Sequence, residues 1–110
     1  MRKNTKALDF AAAAKQSIAE RDSIDGHPCC INCGTPAPVE SPLSFSNAHF
    51  ISRAQSGRGI PENGLTLCLR CHRQYDQSPH RPRMRTYFKE YLRRRYPGWD
   101  ESKLIYEKEI

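Results

Sequence analysis

The stretch Asn63-Gly64-Leu65-Thr66-Leu67-Cys68-Leu69-Arg70-Cys71-His72 joins a turn dipeptide, a short apolar run and a Cys-x-x-Cys pair followed directly by a histidine. A second pair, Cys30-Ile31-Asn32-Cys33, lies upstream, closes on Gly34 and is separated from the first by 34 residues. Each pair presents two sulfurs from one turn, and two such turns complete a tetrahedral four-thiolate site for a structural Zn²⁺. Such a site has no open position for a substrate, so it shapes the chain rather than reacting. Cys29 abuts Cys30. Cys30 is the expected ligand because two intervening residues form the tighter turn, which leaves Cys29 as a free thiol, buried or semi-exposed.

A metal staple suits the size of the chain. One hundred and ten residues with 37% apolar content make one small domain with a limited core. The N-terminus has no apolar run long enough for a signal peptide, and no segment is long enough to span a membrane. A cytoplasmic location is expected, where paired cysteines mean metal more often than disulfides. The net charge of +6 and a pI near 9.3 favour an anionic partner, nucleic acid above all.

Outward from the cysteine pairs, residues 5–21 read as a helix on their alanine run, with Leu8, Ala11 and Ile18 roughly on one face. Asp25-Gly26-His27-Pro28 breaks the chain. Leu43–Ile51 reads as a strand. Asn63-Gly64 reads as a turn into a second strand, Leu65–Leu67. The pattern is helical from Leu69 to about Tyr75. It is helical again over 83–96, where Met84, Tyr87, Phe88, Tyr91 and Leu92 form one apolar stripe before Pro97-Gly98. Asp100 is placed to cap a last short helix burying Leu104 and Ile105. The expected organisation is an N-terminal helix (1–26), a zinc-braced core (27–80) and a basic helical extension (81–110).

Three segments together resemble the HNH endonuclease family, in particular the four-cysteine subclass among small phage and prophage members. They are Cys30–Gly34, Ala48-His49-Phe50-Ile51-Ser52-Arg53, and Asn63–His72. The resemblance covers Cys30 to about Asp76, and the basic helix with Tyr96–Trp99 resembles the segment C-terminal to the motif in small phage enzymes. It implies an α+β fold: a ββα-metal (His-Me finger) core braced by the four cysteines, with flanking N- and C-terminal helices. It also implies phage packaging or recombination proteins as partners. One position departs from the family. Many members carry an Asp or His metal ligand immediately before the general base, and here that residue is Ala48. The absent ligand would come from Asp76, His80 or phosphate oxygens.

The chemistry is consistent with that implication. Phosphodiester hydrolysis needs an activated water, a metal on the phosphate and stabilisation of developing charge. His49 suits the general base, since an unperturbed imidazole titrates near working pH. His72 and Asp76, spaced i and i+4, share a helical face and form a half-site for a divalent cation. Oxygen ligands favour Mg²⁺ or Mn²⁺, and His72 also admits Zn²⁺ or Ni²⁺. Asn63 would hold the hairpin loop, orient His49 or touch the metal. From Arg81 to Arg95 there are seven basic residues and one acid, with Arg85, Lys89 and Arg93 recurring as a ridge for the DNA backbone. Arg53 and Arg58 are further phosphate candidates. The expected function is a metal-dependent DNA endonuclease. The alternative is a non-catalytic treble-clef module that uses zinc to bind DNA or a partner protein.

Overall fold

The computed structural model describes residues 7–41 and 44–107. Helix α1 (Ala12–Arg21) leads into strands β1 (Ser23–Ile24) and β2 (His27–Pro28), which pair antiparallel across the Asp25-Gly26 turn. Both turn residues have positive φ, 53° and 78°, as a two-residue hairpin of this hand requires. Strand β3 (Ser46–His49) pairs antiparallel with β4 (Gly64–Leu67), and α2 (Leu69–Gln77) and α3 (Arg81–Arg95) come next. Among the described residues the result is a small α+β fold with two two-stranded sheets. Among the described residues, no helix is long and apolar enough to cross a membrane.

The β3–β4 register decides which side chains face the core. Ala48 pairs with Leu65 and both are fully buried, whereas His49 pairs with Gly64 on the other face. Tyr75 of α2 and Met84, Phe88 and Leu92 of α3 close over the apolar face. The α3 residues are spaced i, i+4, i+8, which aligns them along one stripe. Tyr75 donates its hydroxyl to the Phe50 carbonyl at 2.8 Å, so its polar end is satisfied inside the core.

A buried ionic hub ties α1 to the rest. Arg21 grips Asp22 through two 2.7 Å bonds and donates to the carbonyls of Pro61 (2.9 Å) and Gly64 (2.8 Å). Asp22 accepts from the Tyr91 hydroxyl and from the Thr66 amide. One pair of adjacent residues therefore links α1, β4 and α3. Burial opposes the Arg21 charge, but hydrogen bonding and attraction from Asp22 prevail and raise its pKa above the ordinary arginine range.

Several expected elements differ. The N-terminal helix begins at Ala12, not residue 5: residues 7–9 turn instead and 5–6 lie outside the described residues. The strand expected over 43–51 is confined to Ser46–His49, and residue 43 lies outside the described residues. Asn63-Gly64 is not a tight hairpin turn. Residues 50–63 form a long loop with two 3-10 turns, and Asn63 ends the second. Asp100 does cap a final 3-10 turn (Glu101–Leu104) by accepting from the Ser102 amide, and Leu104 is buried. Ile105, however, is exposed and instead bridges to Gly57. His27, in the stretch that breaks the chain, has Nε2 bonded to the Ala37 carbonyl.

Candidate active-site cleft and metal centre

The four sulfurs of Cys30, Cys33, Cys68 and Cys71 all lie within 4.8 Å of one another, a set able to hold a metal ion. The Cys33 and Cys68 sulfurs are 3.8 Å apart. That is the edge, about 3.8 Å, of a sulfur tetrahedron with roughly 2.3 Å metal–sulfur bonds. The donor environment fits as well. Backbone amides of the cysteine turns hydrogen-bond Cys30, and Asn32 Nδ2 donates to Cys71 Sγ at 3.3 Å. The Thr35 hydroxyl lies 3.2 Å from Cys33 Sγ and draws that thiol down to about 6. Burial pushes Cys71 up to about 12, so it is the cation's charge that would hold this sulfur as thiolate. Cys29, buried, stands outside the cluster. Arg70, exposed on the first turn of α2, hydrogen-bonds Cys33, and the nearby thiols raise its pKa. Its position beside Cys33, Cys68 and Cys71 offsets the negative charge those sulfurs carry as thiolates.

Beside the cysteine cluster, an open cleft of about 1270 Å³ takes in His49, His72 and Asp76. β3 delivers His49 at its last position, and α2 delivers the other two one helical turn apart. His72 Nε2 lies 3.3 Å from Asp76 Oδ2. Cys71 and Tyr75 occupy the neighbouring i, i+4 face of α2 and are buried, so the same helix anchors the thiolate cluster and aims the His–Asp pair outward.

His49 is half-buried, and its Nε2 is 2.7 Å from the Leu8 carbonyl. A carbonyl only accepts, so Nε2 carries the proton and Nδ1 is left with the lone pair in the neutral ring. Burial lowers the His49 pKa from its ordinary value and Arg53 adds to this, against the opposing pull of the Leu8 carbonyl and Asp9. The imidazole is thus neutral at pH 7. The Phe10 ring packs against it, centroids 4.4 Å apart. Leu8, Asp9 and Phe10 belong to the segment before α1. They carry no motif, and the backbone carbonyl that bonds His49 has no residue-type signature at all.

Asn63 is fully buried and absent from the cleft wall. Its Oδ1 accepts from the Ile51 amide (2.8 Å), and Nδ2 donates to the carbonyls of Ile51 (3.1 Å) and Arg58 (2.9 Å). These bonds tie the end of the loop to its start at Ile51 and its middle at Arg58. Ala48 is 1% exposed in the core. His80, a candidate to replace the missing ligand, is exposed and does not line the cleft, whereas Asp9 does.

Of the basic residues singled out from sequence, Arg53 lines the cleft, paired with Asp9. Arg85 and Lys89 both reach Glu101, Arg93 pairs with Glu90, and Arg58 is turned toward the Lys103 carbonyl at 3.4 Å. The cleft has two further cations, Lys15 on α1 and Arg81 at the start of α3. Arg81 stacks on the Tyr75 ring and donates to the Tyr75 carbonyl at 2.7 Å, which fixes its direction.

Residues 30–78 match the family model described as HNH endonuclease. The match takes in the four clustered cysteines, His49, Asn63, His72 and Asp76, and leaves out α1, the Leu8–Phe10 segment and α3. No curated protein matches the chain.

Proposed function

We propose that the protein is a metal-dependent DNA endonuclease of HNH type, built on a structural zinc held by Cys30, Cys33, Cys68 and Cys71. The observation that carries this reading is the shared cleft: a neutral imidazole with a fixed proton on Nε2 faces the same space as a His–Asp pair suited to a divalent cation. His49 Nδ1 takes a proton from the attacking water. His72 and Asp76 would hold Mg²⁺ or Mn²⁺, which when bound supplies positive charge at the phosphate and the leaving oxygen. Lys15, Arg53 and Arg81 draw the phosphate backbone into the cleft, and Arg81, held on Tyr75, keeps a constant direction. Asn63 acts at one remove, by fixing the loop that joins β3 to β4.

The test is nicking of supercoiled plasmid with Mg²⁺ or Mn²⁺ in the assay. His49→Ala should lower cleavage by about 100-fold or more, while zinc content and DNA binding stay at wild-type levels. A second reading, a zinc module that binds nucleic acid without cutting it, draws support from Ala48. A core residue stands where many family members present a metal ligand. Wild type and His49→Ala equally inert across divalent metals, with DNA binding retained in both, would establish that reading in place of the first.

A further inference from the structure

We infer that the strap before α1, residues 7–10, is a working part of the hydrolytic site: it positions His49 by holding its Nε2–H and packing against its ring. The inference rests on the nuclease reading for its effect on rate, but its geometric core stands independently. The Leu8 carbonyl takes the His49 Nε2 proton at 2.7 Å, and Leu8 is 2% exposed, which anchors that carbonyl. Phe10 packs against the imidazole. All of these strap groups lie outside the 30–78 stretch that matches the family model.

The strap is docked by features of the loop that the sequence does not advertise. The Gly59 amide donates to the Ala7 carbonyl at 3.0 Å, and the Asp9 carboxylate pairs with Arg53. A Cβ built on Gly59 would lie 2.2 Å from the Asp9 carbonyl oxygen and 2.8 Å from the Phe10 nitrogen. Those are backbone atoms, so they can yield only if the strap lifts. Gly64, paired with His49 across the sheet, leaves the space that Phe10 and Ile18 occupy: a Cβ there would meet Phe10 Cε1 at 3.1 Å and Ile18 Cδ1 at 2.3 Å. Two glycines thus form the seat of the strap. The hydrogen bond at one ring nitrogen decides which tautomer the other nitrogen offers, so displacing the strap frees the imidazole to exchange tautomers and to rotate.

The experiment uses the full-length zinc-loaded chain carrying Gly59→Ala, Asp9→Asn, Asp9→Glu or Phe10→Leu. Two quantities are read: plasmid-nicking kinetics separated into kcat and KM, and the imidazole nitrogen NMR of His49, assigned by its loss in His49→Gln and recorded without DNA or added divalent metal. Wild type should give one tautomer, protonated on Nε2. Gly59→Ala should give a mixture, with kcat down about 10- to 100-fold from the lost hydrogen bond and misplaced base, KM changed less than about twofold, and zinc content intact. Asp9→Asn and Phe10→Leu should shift in the same direction, and Asp9→Glu should restore kcat. A wild-type tautomer and wild-type kcat in Gly59→Ala overturn the inference. If Gly59→Ala fails to fold, wild-type behaviour of both Asp9→Asn and Phe10→Leu overturns it equally. A wild-type protein that never nicks DNA removes the nuclease reading, and the tautomer of Gly59→Ala then decides the positioning role alone.

Discussion

Replacing Asp22 by Asn is nearly isosteric, yet it takes the paired counter-charge from the Arg21 guanidinium. The Arg21 side chain is 10% exposed and that of Asp22 is 0% exposed, so water cannot compensate. Whichever way the new amide turns, one of the two 2.7 Å charge-assisted bonds is lost: its N–H is set against Arg21 Nη2 and the Thr66 amide, or against Arg21 Nε and the Tyr91 hydroxyl. Removing one partner of a buried pair costs about 3–5 kcal/mol, which is a large share of the roughly 5–15 kcal/mol that holds an ordinary domain together. Urea unfolding of the zinc-loaded protein, followed by Trp99 fluorescence, gives the measurement. With m near 2 kcal/mol/M, a loss of about 4 kcal/mol moves the midpoint down by about 2 M. A double-mutant cycle with Arg21→Met isolates the pair: Arg21→Met/Asp22→Asn should be less damaged than the sum of the singles by about 2 kcal/mol or more. A loss below about 1 kcal/mol for Asp22→Asn, or strict additivity in the cycle, would refute the claim that this hub fastens α1 to β4.

Stripping the metal with a chelator should abolish cooperative unfolding, since structural zinc contributes about 10 kcal/mol or more to folding in small domains; an unchanged thermal transition in the metal-free protein would count against it. Cleavage should fall on the acid side with a midpoint below about 6.5. The base must be neutral and burial lowers its folded pKa, so activity is present above that pKa and lost as pH falls through it. A midpoint near 7 or higher would contradict the buried, carbonyl-bound geometry. The same depression gives the unfolded chain the higher proton affinity, so His49 also makes the fold weaken as pH drops below about 6.5. Glu101→Gln releases Arg85 and Lys89. Binding to duplex DNA should tighten, with a log–log salt slope steeper by about one to two; an unchanged slope would mean that α3 does not meet phosphate.

How much of the molecule is legible in the sequence depends on how far each feature reaches along the chain. The cysteine turns are local, and a metal needs their ligand types at that spacing, so Cys30, Cys33, Cys68 and Cys71 are readable as one cluster. His72 and Asp76 share a face because a helix repeats every 3.6 residues, and the Met84, Phe88, Leu92 stripe is legible for the same reason. The features that escape are long-range or carried by backbone. Glu101 neutralises Arg85 from sixteen residues away. Arg21 and Asp22, adjacent in an otherwise polar stretch, look like surface charges until β4 and α3 close over them. Asn63 has the look of half a tight turn, but its side-chain amide binds the far end of a long loop, and those carbonyls have no pattern to read.

The loop between β3 and β4 is held from both flanks of the chain. The strap meets it at Gly59, and the stretch after α3 meets it through Arg58 N to the Leu104 carbonyl (2.7 Å) and Tyr106 N to the Ser56 carbonyl (2.8 Å). Transplanting residues 30–78 onto another scaffold would carry over every motif letter and leave both clamps behind. A minimal chimera therefore has to import sequence from each side, and any fusion that prises away residues 7–10 or 104–106 is expected to relax the same loop from opposite directions.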